Sequence, residues 1–544
     1  MAAADGKLFV ATREGGLYCF GGEKAETKTW PLETVPLPKF PDKTIRPSDG
    51  YALVLGLDDG RWLYNLLQEP SLRVIGVDAD AAKVRAFHEK LVAAGLYGTR
   101  AELFVGNPFA FPFPPYLASL IVSETGFPSK EAIEKLREVL HPYGGAICPE
   151  EGNQASVVRR DGPLAGSASW THECADAARS FFSKDQLVKA PLGILWYGQE
   201  GENEFWSNND YGIGVKPQVV GGRVFAFSLP MRALFAYDAY TGRHLWKAQT
   251  EAFTRFAAQP DGIYVAAGDA CTVLDPATGA ERAKFMYQVA EGGTGILPVS
   301  PTGGTPVPPA MRKPLVSDIR VGDDVIVIAV AFEKVRIIEK GLWDSTLLVA
   351  LDRKSGATLW TRRAKHRFNN NALALGRGTV FAIDSPSAVQ TEALKDPKAV
   401  PKTMPCEILA LDARTGAVRW SLDVENAYRV YGIGGWTAMM AQDDWLAWCE
   451  PLDLLITGKH GRARTYKAAN GELVWEQNLG GGQPLILRGD TFVTQAGITF
   501  DARTGSPLDK KPLFSRNGCN YAVGGPHLFL MRDTTACYVD AQTR

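Results

Sequence analysis

Residues 409–420 read LALDARTGAVRW: an apolar run closing on Asp412, two spacers, Thr415, Gly416, and a tryptophan at 420. An aspartate with a glycine four residues on marks a hairpin. Its carboxylate accepts backbone N–H groups two and three residues ahead, closing an Asx-type turn. The glycine takes the positive φ on which the turn ends without a Cβ clash. Trp420 then lies on the returning strand, where a large flat ring can fill the space between neighbouring sheets. The pattern recurs at 234–246 (LFAYDAYTGRHLW) and 348–360 (LVALDRKSGATLW), and more weakly at 273–285 (VLDPATGAERAKF), 465–475 (TYKAANGELVW) and 498–508 (ITFDARTGSPL). The turn glycines, at 242, 279, 356, 416, 471 and 505, are 34 to 77 residues apart.

Before most copies stands a second strand pair opened by Gly-Gly, Gly-Asp or Asp-Gly, as at 222–227, 261–265, 378–383 and 489–493. Four short strands per unit, reused six times, predict a mainly β fold: a β-propeller of about eight (seven to eight) four-stranded blades. Partial copies at 5–20 and 527–540 complete that count, and the first is expected to pair with the late blades and close the ring. The widest spacing holds GGTGILPVSPTGGTPVPP at 292–309, whose Gly/Pro content predicts a flexible surface insert over 289–312.

These copies resemble the pyrroloquinoline-quinone (PQQ) type of propeller repeat, over residues 190–544. The resemblance implies a fold shared by quinoprotein alcohol dehydrogenases and by non-catalytic propellers, bacterial outer-membrane assembly lipoproteins among them. The enzymes need a sandwiched quinone, a calcium ion held by Glu, Asn and Asp, a base carboxylate and, in the larger alcohol-oxidising members, a vicinal cysteine pair. This chain has no adjacent cysteines, and its residues suggest no calcium set, so PQQ is not an expected cofactor. Trp170, Trp196, Trp206, Trp246, Trp360, Trp420 and Trp475 read most simply as inter-blade packing.

Between the first strand pair (1–30, with a linker at 31–45) and the repeats (166–544) the periodicity changes. Strand-like 51–57, 73–78, 102–105, 117–123 and 145–148 alternate with helix-like 61–68, 81–94 and 130–140. Alternation of this kind requires right-handed crossovers and a parallel sheet, hence an α/β Rossmann-like domain at 46–165. Ligands of such sheets sit at the carboxyl ends of the strands, with an acid after the second strand on ribose hydroxyls.

The arrangement is similar to a class I S-adenosylmethionine (SAM) methyltransferase over 46–150. Residues 55–60 (LGLDDG) occupy the place of the glycine-rich loop, Val77-Asp78 that of the ribose acid, Gly106-Asn107 the adenine side, and LREVLHPYGG at 136–145 the turn before strand five. The resemblance implies SAM as cofactor, with Gly56, Leu57, Asp58, Gly60, Asp78, Ala79, Gly106 and Asn107 around it. Three departures stand out, one of them Asn107 in place of the family's Asp, which weakens the adenine contact. Asp58 replaces the middle glycine and is expected to crowd the cofactor, and Val54 stands where an acid would face the methionine end. No catalytic residue is assigned.

Lys plus Arg is 59 and Asp plus Glu 60, a net charge of -1, which gives no global attraction to nucleic acid. No apolar run reaches the roughly 18 residues of a membrane helix. The start lacks a basic-then-apolar leader. That predicts a cytosolic protein if residue 1 is the natural start, whereas propellers of this type are usually exported. The eight cysteines stand singly and read as buried thiols, with no zinc spacing. The stretch 170–176 (WTHECAD) mixes metal-ligating residue types without a second cluster, which favours a junction role; the polar run at 202–210 reads as a solvated loop. Three functions follow in order of preference: a non-catalytic propeller binding a protein or small molecule on its face, an active SAM-dependent methyltransferase, and a PQQ dehydrogenase.

Overall fold

The structure is a computed structural model that describes residues 1–12, 16–22, 35–40, 47, 49–149, 156–197, 215–251, 254–287, 289, 314–332, 344–385, 403–433, 436–441, 445–459, 462–479, 484–509, 511–514, 522–532 and 536–540. Nearly all of the Gly/Pro-rich insert, Trp206 and the polar run at 202–210 lie outside these residues. The chain divides into two compact units: Met1–Leu140 with Gly145–Arg159, and His141–Gly144 with Arg160–Arg544.

The first unit opens with a three-stranded sheet, β1 (Ala2–Ala4), β2 (Lys7–Ala11) and β3 (Leu17–Gly21). The expected pairing of residues 5–20 with late blades is absent from the hydrogen bonds of the described residues. The hairpin instead takes its third strand from Ala2–Ala4. Then come β4 (Gly50–Leu55), α1 (Arg61–Leu66), β5 (Leu72–Asp78), α2 (Ala81–Ala93), β6 (Ala101–Val105), β7 (Ala118–Ser123), α3 (Lys130–Leu136), β8 (Gly145–Ile147) and β9 (Val158–Arg160). The sheet order is β6-β5-β4-β7-β8-β9, and the first five strands run parallel. Parallel strands are covered on both faces. Accordingly Leu53 and Leu55 pack in one apolar cluster and Ala52 and Val54 in another. The order reverses between β4 and β7, and that switch point is where such folds bind ligands.

Among the described residues the second unit holds six hydrogen-bonded sheets in chain order, and the eight-stranded third divides at Thr358–Gly376 into two, which gives seven, the lower end of the expected range. Their inner strands are Gln218–Val220, Thr254–Gln259, Leu315–Val321, the second half of Thr358–Gly376, Trp445–Cys449, Ile486–Arg488 and Val523–Gly524. Thr358–Gly376 closes the third sheet with its first half and opens the fourth with its second. Apolar clusters straddle each consecutive pair of sheets: one joins Phe225 and Trp246 to Phe256 and Ile263, and another joins Leu409 and Leu411 to Val327 and Trp360.

The hairpin motif repeats at atomic detail. Asp238, Asp275, Asp352, Asp412 and Asp501 each accept the backbone N–H groups two and three residues on, at 2.7–3.2 Å. The tryptophans reach across to the next sheet. Trp246, Trp360, Trp420 and Trp475 donate their indole N–H to the carbonyls of Pro276, Ala413, Ala468 and Ala502 at 2.8–3.1 Å. Each ring lies on the turn glycine of that next sheet. At Gly416 (φ 71°) a Cβ would come within 2.7 Å of the Trp360 ring, so only glycine fits. Trp196 fills the same place for the first sheet, donating to Ala239 at 2.8 Å. Phe285 takes it against Gly356, without a donor. A buried tryptophan removes 150–250 Å² from water, ~4–6 kcal/mol of apolar transfer before entropy is counted, so these rings dominate the interfaces between blades.

Of the cysteines with described side chains, Cys148, Cys174, Cys271, Cys406 and Cys449 are buried and free, and Cys19 is exposed and free. No helix among the described residues is long and apolar enough to cross a membrane.

Candidate functional site

The switch-point crevice of the first unit gathers the residues singled out from the sequence. Gly56 (φ 73°) turns the chain at the end of β4 and donates to the Val77 carbonyl at 2.8 Å. Leu57 is fully buried. Gly60 (φ 81°) precedes α1, and a Cβ there would lie 2.5 Å from the Phe87 ring. Asp78 ends β5, Ala79 follows it in solvent, and Gly106 donates to the Asp78 carbonyl at 2.9 Å. The three strand ends therefore converge as expected.

Their polar groups, however, are turned on one another. The Asp78 carboxylate, 7% exposed, accepts Leu57 N–H at 2.6 Å and Asp80 N–H at 2.7 Å. Lys83, on the first turn of α2, donates its ammonium to the Leu57 carbonyl at 2.9 Å, so both polar groups of Leu57 are tied to the β5 side. Asn107 is exposed, and its side chain accepts Phe109 N–H at 3.0 Å. Phe111 packs on Gly106, within 3.0 Å of where a Cβ would stand, and belongs to an aromatic group with Phe104 and Phe113. Asp58 is exposed, and its own N–H is already in use.

The residue that takes that N–H is one sequence reading missed. Glu124 follows β7 across the switch point. Its Oε2 accepts Asp58 and Gly60 N–H at 2.7 and 2.9 Å, and its Oε1 accepts Trp62 and Leu63 N–H at 2.9 and 3.3 Å. A helix N-terminus leaves its first N–H groups unsatisfied, and one carboxylate here satisfies the loop and the first turn of α1 together. Burial pushes the Glu124 carboxyl up, and the four N–H groups act in the opposite direction. Burial and the Glu124 charge raise the Tyr64 phenol to about 12. The sequence signal was an acid one residue past a strand that borders the switch point.

A nucleoside cofactor of the SAM type needs the loop N–H groups, the strand-two acid and the space over the third strand end. Here Glu124 accepts from the first, Leu57 and Asp80 donate to the second, and Phe111 packs on Gly106 beside the third. The residues present do not fit the group in this arrangement.

The second unit carries a cavity of about 740 Å³, lined by turns of the third, fourth and fifth sheets together with Asp176, Ala177 and Ala178. Its cations are already paired. Arg353 meets Asp261 at 2.5 Å, Arg419 meets Asp412 at 2.9 Å, and Arg377 lies 5.4 Å over the Trp448 ring. Asp323 and Asp324 stand exposed on the rim. The cavity thus carries small residues and charge of both signs in its lining. Among the described residues no group of three or more His, Cys, Asp or Glu side chains has metal-ligand spacing.

The family described as outer membrane protein assembly factor BamB matches residues 236–427 and 406–508, half of the chain. The chain belongs to this BamB family of PQQ-like propellers. Among solved structures, BamB from Moraxella catarrhalis is 14% identical, covering 60% of this chain and 81% of its own, with a TM-score of 0.33. Quinohemoprotein alcohol dehydrogenase from Comamonas testosteroni is 12% identical over 68% and 75%, with a TM-score of 0.32. A protein from Methanococcus maripaludis assigned as a SAM-dependent methyltransferase is 20% identical over 20% of this chain and 51% of its own, with a TM-score of 0.18. At these identities and TM-scores the likenesses carry no argument about activity, cofactor or partner. No curated protein matches the chain.

Proposed function

We propose that this BamB-family chain is a non-catalytic binding propeller that presents its concave face to a protein partner, and that its Rossmann-like module has a structural rather than a cofactor-binding role. The observation that carries the reading is the Glu124 carboxylate, which takes four backbone N–H groups at the switch point. A site that spends its own donors on its own side chains gains nothing from a ligand unless those bonds are first broken. Two further points support the same reading. Asp78 is buried and bonded, and the family described by the matching repeats is named as an assembly factor. A protein partner is in keeping with the mixed charge of the 740 Å³ cavity's lining.

The test is activity in both rival chemistries with the purified full chain. Incubation with SAM carrying a labelled methyl group should transfer no label to protein, peptide or small-molecule acceptors. Dye-linked alcohol oxidation after addition of PQQ and calcium should stay at the background rate. Turnover in either assay overturns the proposal.

A further inference from the structure

Residues 170–183, WTHECADAARSFFS, precede the seven sheets and touch all of them. One backbone N–H near the end of each inner strand is directed at this segment. Val219 donates to the Trp170 carbonyl at 2.9 Å, Ala258 to Thr171 at 3.0 Å, Leu375 to Ala177 at 3.0 Å, Trp448 to Ala178 at 3.0 Å, Leu487 to Ser180 at 2.8 Å and Gly524 to Phe181 at 3.0 Å. In the third sheet Val321 donates instead to Nε2 of His172, at 3.0 Å. The order of acceptors along the segment is the order of the sheets around the fold.

Geometry limits where such a segment can lie. Fourteen extended residues span no more than about 50 Å, and these are coiled: Ala175, Arg179 and Phe181 have φ of 78°, 66° and 53°. So short a stretch reaches seven successive sheets only where their inner strands converge, at the propeller axis. Inner strands have an unpaired edge toward that axis, and an unpaired N–H removed from water is costly. The left-handed residues are unfavourable for side chains with a Cβ, and the seven bonds hold them in place.

The segment is also packed. His172, Cys174, Arg179 and Phe181 are all less than 9% exposed. His172 has one possible protonation state here. Because Nε2 accepts from Val321, the ring is neutral with its proton on Nδ1, which donates to Thr171 Oγ1 at 2.9 Å. Thr171 Oγ1 in turn donates to the Ala175 carbonyl at 3.3 Å. On the other side, Ala177 and Ala178 form part of the 740 Å³ cavity.

We infer that residues 170–183 are the axial closure of this propeller: one strap of chain ties the inner strands of all seven sheets, blocks this end of the central channel, and makes the cavity above Ala177 and Ala178 a blind basin instead of a through-passage. A ligand of this face therefore meets the strap and does not enter the channel.

Hydrogen exchange read by mass spectrometry on the full chain tests this. In Arg179→Pro the ring fixes φ near −65°, which the strap cannot accommodate at this position. Peptides carrying Val219, Ala258, Val321, Leu375, Trp448, Leu487 and Gly524 should then all exchange at least tenfold faster. Peptides covering the outer strands His244–Gln249 and Leu473–Asn478 should keep the parent rate. Faster exchange confined to the peptides around Trp448 and Leu487, or no change, overturns the inference. If Arg179→Pro does not fold, His172→Ala decides, because it removes one acceptor only. The Val321 peptide should exchange at least tenfold faster with the outer strands unchanged, and parent-like exchange at Val321 overturns the inference.

Discussion

Trp360 offers the sharpest test of how the blades are held. It is 1% exposed, gives its indole N–H to Ala413 at 2.9 Å, and lies on the turn glycine of the next hairpin. Trp360→Ala empties that place and leaves a buried carbonyl without its donor. Large-to-small changes of this kind cost about 3–5 kcal/mol, of which the unpaired acceptor accounts for about 1–3 kcal/mol. Trp360→Phe separates the two parts: an aromatic ring stays and the donor goes, so the loss should be mainly the acceptor's share, about 1–3 kcal/mol. The protein supplies its own control in Phe285, which holds the equivalent place against Gly356 with no N–H. Phe285 is only partly buried, so Phe285→Ala should cost less than Trp360→Ala through both the missing hydrogen bond and the smaller buried area. The assay is equilibrium urea unfolding followed by far-UV circular dichroism, since 13 tryptophans would blend in fluorescence. Stability changes should appear as midpoint shifts at unchanged slope. A Trp360→Ala variant within about 0.5 kcal/mol of the parent, the range of a surface change, refutes this account of the interfaces.

Three other outcomes are expected. Glu124→Ala leaves the N–H groups of Asp58, Gly60, Trp62 and Leu63 without an acceptor and should destabilise the first unit by about 1–3 kcal/mol, measured by its own unfolding transition, with Glu124→Gln losing less. His172 is fully enclosed, and burial first, then the Arg320 and Arg353 cations, holds its pKa well below 6.5; Asp318 and Glu173 are the acids of the same buried region. The unfolded chain binds a proton there that the fold refuses. Stability should thus be full above pH 6.5 and fall below it, by up to about 1.4 kcal/mol per pH unit, a slope that His172→Ala removes from a pH series of urea midpoints. Asp412 is held at about 2, against 3.8 unperturbed, first by the Arg419 guanidinium and then by the turn donors. Its contribution is present above 3.8 and lost as pH falls toward 2, and Asp412→Asn should flatten that part of an acid titration followed by circular dichroism.

Much of this architecture was legible in local chemistry. Aspartate, glycine and tryptophan at fixed offsets announce each hairpin, because the turn bonds and the indole reach are set within a dozen residues. The strands of the inserted module were readable for the same reason: unbroken runs such as ALVL at 52–55 suit only a doubly covered parallel sheet. The polar wiring of the crevice was not readable. Glu124 is 66 residues from Asp58, and an acid past a strand end looks like an ordinary cap until the sheet order brings it opposite α1. Asp58 drew notice as a glycine replacement, yet its side chain is in solvent and its backbone matters. The strap at 170–183 was hidden more thoroughly, because six of its seven acceptors are backbone carbonyls, which leave no side-chain signature. The mixed stretch at 170–176 points to a junction, and nothing in it singles out His172 as a hydrogen-bond acceptor.

The central claim is that the switch-point crevice is filled by the protein's own groups and the chain acts by binding through its propeller. Calorimetric titration of the folded full chain with SAM and with S-adenosylhomocysteine tests it most directly. No binding heat is expected for either nucleoside up to millimolar concentration, about −4 kcal/mol of affinity at most. Saturable heat with a micromolar midpoint, abolished by Asp78→Ala, would contradict it.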